Sequence, residues 1–319
     1  MLRSMARVGL VLGGGGAVGH GFHNGVLAAL EDKMGFDAGG VDVILGTSSG
    51  ATIAGLLRAG LSGTDLAGRA CGEAASERMQ LVDARRAQSC NPRVRRRERL
   101  QLGLALPASP RGALAALRRR GPHRASTVLG ALLPAGPVPT VSAGGPLDNL
   151  FPDGWPDDAL WICAVGIDDG RRVIFGRAGD PKTDVPTAVA ASCALPGWFT
   201  PVVVENRNYV DGAIWSATNA DVLLGEDLEI IVISAPLSGT TTALHRWQRR
   251  HLRDEVDQLR ASGVEVVVIE PTRADLAAMG RNIMDKRRRP AVTRHVRATM
   301  RERLDRGDLA HAREIVHVG

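Results

Sequence analysis

Gly46-Thr47-Ser48-Ser49-Gly50 stands directly after a short apolar run and directly before a stretch with helical spacing. It fits G-x-S-x-G, with Ser48 at the centre and Ser49 as its neighbour in the turn. The chemistry such a pattern serves is nucleophilic attack by a hydroxyl. A serine on a sharp strand-to-helix turn needs small residues two positions either side, because the backbone is crowded there. The helix that follows favours the negative charge that develops. The pentapeptide alone is only moderately specific, since Gly/Ser-rich turns are common. Its strand–turn–helix setting gives it weight.

A second glycine turn, Gly14-Gly15-Gly16-Ala17-Val18-Gly19, also follows a strand and precedes a helix, and fits G-x-G-x-x-G. Two chemistries compete for it. A dinucleotide site wants an acidic residue about 20 positions on, at the end of the next strand. Asp32, Asp37 and Asp42 are near enough in number, but Asp32 falls in a helix and Asp42 precedes its strand. The other chemistry is an oxyanion hole, in which backbone N–H groups face a nucleophile on the adjacent strand. The serine elbow on the very next strand favours the oxyanion hole. No Gly-Lys-Ser/Thr follows the glycines, so the phosphate-loop pattern is absent. A carboxylate candidate comes later, where Val210-Asp211-Gly212 ends a short strand in a turn. An Asp-Gly by itself is ordinarily just a turn.

The elements that must position these groups read as alternating strands and helices. Strands are expected at Val8 to Leu12, Val41 to Leu45, Leu160 to Val165, Arg171 to Phe175, Pro201 to Glu205, Leu228 to Ser234 and Val264 to Ile269. Helices are expected at His20 to Met34, Ala51 to Ala59, Val185 to Ser192, Leu244 to Leu259 and Pro290 to Arg313. Asp168-Asp169-Gly170 predicts a hairpin. The repeated strand, glycine turn and helix is the pattern of a parallel sheet with crossover helices. Between about Val82 and Gly145 that pattern stops. The stretch is rich in Arg and Pro, and is expected to be an inserted, lid-like segment. The tail, about 272–319, is expected to be a polar helical extension of a single domain spanning 1–319.

Composition limits the classes open to the chain. At 319 residues, 44% apolar and 23% charged, it can bury a sizeable core, which excludes wholesale disorder. No apolar run approaches the ~18 residues of a membrane span. The expectation is a cytoplasmic protein able to meet a membrane surface peripherally. Cys71, Cys90, Cys163 and Cys193 suggest neither a zinc site nor a disulfide framework. No His and carboxylate cluster stands at ligand spacing and attack by a serine needs no metal, so no metal and no cofactor are expected. The net charge of +6 is carried largely by arginine.

Four blocks in order give the chain a resemblance to the patatin-like phospholipases. They are the Gly14–Gly19 turn, the Gly46–Gly50 turn, Ala191-Ser192-Cys193-Ala194-Leu195-Pro196, and Asp211-Gly212-Ala213. The resemblance implies a three-layer α/β/α fold with a mainly parallel sheet. It implies a serine lipid-acyl hydrolase, of phospholipase A, lysophospholipase or carboxylesterase type, with a Ser–Asp dyad and no catalytic histidine. Ser48 would be the nucleophile, Asp211 the general base, and the N–H groups near Gly14, Gly15 and Gly16 the oxyanion hole. Ser49, Ser192, Pro196 and Gly212 would shape the site, and His23 would be structural. Two departures stand out: Val18 replaces the Arg or Lys usual in relatives, and Ala213 replaces a common Gly.

Rival readings start from the same residues. Acyl transfer to a hydroxyl, amine or thiol other than water would use the same acyl-enzyme. A Ser–acid–His hydrolase would recruit His245, His251, His295, His311 or His317, most of which fall in polar helices. A non-catalytic basic scaffold could use Arg93 to Arg99, Arg118 to Arg124 and Lys286 to Arg289. Those clusters nearly lack stacking aromatics, so no nucleic acid is expected as partner. The expected partner is a lipid or acyl ester, with an anionic membrane surface in peripheral contact. Leu100, Leu102, Leu104, Leu106, Leu114 and Leu117 beside the arginines would suit a helix lying on that surface; equally, the leucines pack on the core and the arginines face water.

Overall fold

The computed structural model describes residues 6–87, 109, 128, 130–138, 140, 145–239 and 242–308. Among these residues the strands are β1 (Val8–Leu12), β2 (Val43–Thr47), β3 (Ala159–Gly166), β4 (Arg172–Phe175), β5 (Val202–Val204), β6 (Arg207–Asp211), β7 (Ile230–Ser234) and β8 (Glu265–Ile269). The helices that bear on the site are α1 (Gly16–Met34), α2 (Ser49–Arg58), α3 (Gly63–Cys71), α4 (Glu77–Ala87), α5 (Val185–Ser192), α6 (Ala243–Ala261), α7 (Arg273–Met279) and α8 (Arg289–Arg306).

One sheet contains all eight strands, in the order β5-β6-β3-β2-β1-β7-β8, with β4 paired to β3. The β3-β2-β1-β7-β8 portion is parallel, and β4, β5 and β6 pair antiparallel. The central strands read as unbroken apolar runs because both their faces are covered. In β7, Ile230 and Val232 pack in the core beneath α1, α2 and α8, while Ile231 and Ile233 pack with Leu252, Val256 and Leu259 of α6. Helices on both faces make the three-layer α/β/α arrangement.

The pairing of β3 decides where the chemistry falls. Cys163 pairs with both Thr47 of β2 and Ile174 of β4, and Ala164 pairs with both Asp211 of β6 and Val173 of β4. A strand has two edges, so β2 and β6 share the edge opposite β4. They meet there end to end, and consecutive residues of β3 hold the ends of both.

Several elements differ from expectation. Helix α1 begins at Gly16, inside the glycine run, rather than at His20. Helices α3 and α4 carry no expectation from the sequence; α4 contains Val82, which is buried in the main core. Val82 therefore belongs to the core and not to the expected insertion. At its other end, the helical turn Gly145–Leu147 also joins the core, with Leu147 buried. The arginine and leucine clusters at 93–124 lie outside the described residues. The described part of the expected helical extension, to residue 308, packs on the core. A Cβ on Gly21 would lie 2.8 Å from the Arg289 carbonyl, and one on Gly25 2.8 Å from the Arg297 nitrogen, so α8 packs backbone to backbone on α1. Val292, Val296 and Met300 complete that contact in the main core. No helix among the described residues is long and apolar enough to cross a membrane.

Candidate active site

Ser48 is the turn between β2 and α2, with φ 54° and ψ −118°. A non-glycine residue held there carries about 1–3 kcal/mol of backbone strain. The flanking glycines follow from sterics. A Cβ on Gly46 would lie 2.5 Å from Ala51 Cα, and one on Gly50 only 1.9 Å from the Leu12 carbonyl. The Ser48 N–H donates to Ser192 Oγ at 2.8 Å, and that hydroxyl donates to the Cys163 carbonyl at 2.6 Å. Ser192 thus ties the strained turn to β3.

Asp211 arrives from the end of β6 and is 3% exposed. Ser48 Oγ donates to its Oδ2 at 2.8 Å, while Oδ1 accepts the Ala213 N–H at 2.8 Å. Burial pushes the Asp211 carboxyl up to about 7, against the pull of the Ala213 and Ser48 hydrogen bonds. A carboxylate with that affinity for protons suits a general base near neutrality. Gly212, next in the chain, leaves room for the β3 backbone: a Cβ there would lie 2.5 Å from the Cys163 carbonyl oxygen.

The glycine turn faces the same space. Gly13 N–H donates to Ser234, Gly14 N–H to Ala217 at 2.8 Å, and Val18 N–H to Ile283. Between them the N–H groups of Gly15, Gly16 and Ala17 have no acceptor among the described residues. All three residues line one cavity with Ser48 and Asp211. They are the open first turn of α1, at the positive end of its dipole. The N–H of Gly14, expected among the open donors, is instead taken by the Ala217 carbonyl, while that of Ala17 is open. His23 is structural: its Nε2 donates to the Gly13 carbonyl and its Nδ1 accepts the Ser234 hydroxyl. Burial lowers its pKa to about 4. Val18 is fully buried and does not line the cavity.

The cavity holds about 940 Å³, the size of a site for a substantial organic ligand. Its apolar wall includes Leu133, Leu195, Trp198, Phe199, Leu237 and Trp247. Trp198, at 48% exposed, and Leu133, at 36%, carry that surface out to solvent. Leu133 and Val138 come from the described part of the expected insertion, which docks on the 195–200 loop through the Gly136 N–H and the Phe199 carbonyl. Pro196 is buried and does not line the cavity; its neighbour Leu195 does. Ser49 lines it, with a buried hydroxyl that has no partner among the described residues.

Some supports have no counterpart in the sequence reading. Gln248 of α6 accepts the Ala217 N–H at 2.8 Å and donates to the Ala213 carbonyl at 3.3 Å. Glu255, one side of α6 further on, accepts from Thr218 Oγ1 and Ala220 N–H. Asn219 Nδ2 donates to Thr47 Oγ1 on the elbow strand. Together they fix the loop that leaves Asp211. Among the described histidines, His20 lines the cavity; His295 instead stands 3.3 Å from Asp275. His311 and His317 lie outside the described residues.

A serine on a strained elbow, bonded directly to a buried carboxylate beside an open helix N-terminus, has the geometry that acyl transfer through serine requires. A family model described as patatin-like phospholipase matches residues 10–224, and the chain belongs to that family. Membership supports lipid acyl hydrolase activity. Among curated proteins there is no significant match. Among solved structures, VipD from Legionella pneumophila is similar at 13% identity and TM-score 0.45, over 95% of this chain and 67% of that one. The type III effector protein ExoU is similar at 22% identity and TM-score 0.36, over 95% and 54%. Human GIVD cytosolic phospholipase A2, in complex with methyl gamma-linolenyl fluorophosphonate, is similar at 12% identity and TM-score 0.39, over 99% and 60%. The chain thus spans between about half and two thirds of the length of these neighbours.

Proposed function

We propose that the protein is a serine lipid-acyl hydrolase in which Ser48 and Asp211 act as a dyad. The observation that carries the reading is the 2.8 Å hydrogen bond from Ser48 Oγ to Asp211 Oδ2 at the floor of an apolar cavity. Asp211 Oδ2 takes the hydroxyl proton as Oγ attacks the ester carbonyl carbon. The carbonyl oxygen becomes an oxyanion, held by the N–H groups of Gly15, Gly16 and Ala17. Collapse breaks the bond to the alcohol, which leaves with the proton from Asp211. Water then attacks the acyl-enzyme, again giving its proton to Asp211. The second collapse frees the fatty acid and returns the proton to Ser48.

The apolar wall running out through Leu133 and Trp198 suits an acyl chain entering from a lipid surface. The test is the Ser48→Ala variant against a fluorophosphonate probe and a short-chain p-nitrophenyl ester. Labelling and hydrolysis should both vanish while thermal unfolding stays close to wild type. Labelling that persists, or that maps to Ser49 or Ser192, would overturn the assignment.

A further inference from the structure

A guanidinium withdrawn from water needs acceptors, and one without them is costly to keep. The buried arginines of this fold mostly obey that rule. Arg172 makes a two-pronged pair with Asp221, at 2.6 and 2.7 Å. Arg58 has no carboxylate bond but donates to the carbonyls of Gly39, Val41 and Ala159. Arg58 Nε and Arg289 Nε are both buried without a hydrogen-bond partner among the described residues, but only Arg58 has terminal nitrogens that find acceptors. Arg289 opens α8, is half-buried and lines the Ser48 cavity. Among the described residues no carboxylate lies within ion-pair distance of it. Burial alone moves its pKa, downward, with no acid drawing it back.

A second orphan stands beside it. His20 lines the same cavity, and its Nδ1 is buried without a partner among the described residues. Burial first, and the positive charge of Arg289 second, hold it neutral. Lys286, exposed and in no ion pair among the described residues, lines the same space from the turn before α8. The one acid lining the cavity among the described residues is Asp211, whose two oxygens are already engaged.

The position is as telling as the charge. Gly16 and His20 are four residues apart on α1, hence on one face and about 6 Å apart along the axis. The close approach of Gly21 to the Arg289 carbonyl sets the start of α8 against this same turn. The unpaired cation therefore lines the same cavity as Gly15, Gly16 and Ala17, whose N–H groups are open. In an acylated glycerophosphate, the ester carbonyl and the phosphate are a few bonds apart.

We propose that Arg289, with His20 beside it and Lys286 at the rim, is an anion subsite that takes the phosphate of an acyl-ester substrate. Arg289 is then the residue through which the cavity distinguishes a phosphorylated acyl ester from a neutral one. The inference rests on reading the Ser48 cavity as the acyl-ester site.

Binding and turnover test it separately. In the Ser48→Ala background, calorimetry compares lysophosphatidic acid with the monoacylglycerol of the same chain, and with inorganic phosphate alone. Adding Arg289→Gln should weaken the phosphorylated lipid at least tenfold and the neutral lipid far less; Arg289→Lys, which keeps the charge but loses the planar fork, should fall between. In the Ser48 enzyme, the ratio of kcat/KM for phospholipid over acylglycerol should drop at least tenfold in Arg289→Gln and less in Arg289→Lys. Equal weakening of both lipids, or of neither, would overturn the subsite. Inorganic phosphate binding as tightly as the lipid would assign the site to free phosphate and overturn the head-group reading. Selective lipid binding by a protein that hydrolyses no ester would uphold the subsite while the hydrolase reading fails.

Discussion

The segment matched by the family, residues 10–224, and the segment after it, 225–308, divide the work of this molecule unequally. The first contains every group that would touch the reacting ester: Ser48, Asp211 and the open turn of α1. The second contributes none of these reacting groups, only cavity wall and the Arg289 subsite, yet it supplies much of what holds them. Ser234 at the end of β7 anchors both Gly13 and His23. Gln248 and Glu255 of α6 hold the loop leaving Asp211. Ile283 accepts the Val18 N–H and so fixes the first turn of α1. A reactive dyad can therefore be complete in its motifs and still incomplete as a site.

The sharpest way to break that division is inside the first segment. Asp211→Asn should cut turnover by about 10²–10⁴-fold, the range of a lost general base. For the unaltered protein, the carboxyl must be ionised to accept a proton, so kcat/KM should rise with pH through about 7 and level off above it. Activity that falls with pH over that window would contradict Asp211 as base. The same raised pKa means that the folded state binds the Asp211 proton more readily than the unfolded chain does. The buried charge thus weighs on the fold above pH 7 and not below the ordinary carboxylate range near 3.8. Asp211→Asn should accordingly raise the melting temperature at pH 8, with the gain disappearing by about pH 4.

The second segment should show a smaller and differently shaped effect. Gln248→Ala leaves the Ala217 N–H and the Ala213 carbonyl without their partner, at about 1–3 kcal/mol for each buried group. Transmitted to the Asp211 loop, a loss near 1.4 kcal/mol is about tenfold in rate. We expect kcat to fall about that much with KM little moved, alongside a lower melting temperature. An unchanged kcat in a destabilised variant would confine Gln248 to the scaffold. The smallest effect should come from a neighbour of the dyad. Cys193 lies in the cavity, but burial pushes its thiol up to about 12, which leaves almost no thiolate at pH 8. Iodoacetamide at that pH should leave Cys193 unmodified in the folded protein, by mass spectrometry, and modify it in denaturant.

The reacting groups were legible because their chemistry demands local spacing. G-x-S-x-G is a steric consequence of the elbow, and the Val185–Ser192 helix has the same bounds in sequence and structure. The supports were not legible, for an equally physical reason. Gln248 and Glu255 sit in a run dense with Arg, Asp and Glu, which reads as a solvated helix. Their partners are backbone groups remote in the chain, which impose no periodicity. The same holds for Gly14, whose N–H is taken by a carbonyl that follows Asp211. Arg289 looked like one more residue in a basic run until α8 turned it inward.

The end-to-end arrival of β2 and β6 on one edge of β3 carries a last consequence. Thr47 and Asp211 are spaced by consecutive residues of a third strand, not by the chain that joins them. That chain can lengthen, shorten or be cut and religated without altering the gap between hydroxyl and carboxylate, provided that β3 keeps its register. A deletion of one residue within Cys163–Ala164 would do what a long insertion elsewhere would not: slide base and nucleophile out of step. The fold has in effect separated the ruler from the thread, which leaves the intervening sequence free to be rewritten for new substrates while the reaction stays the same.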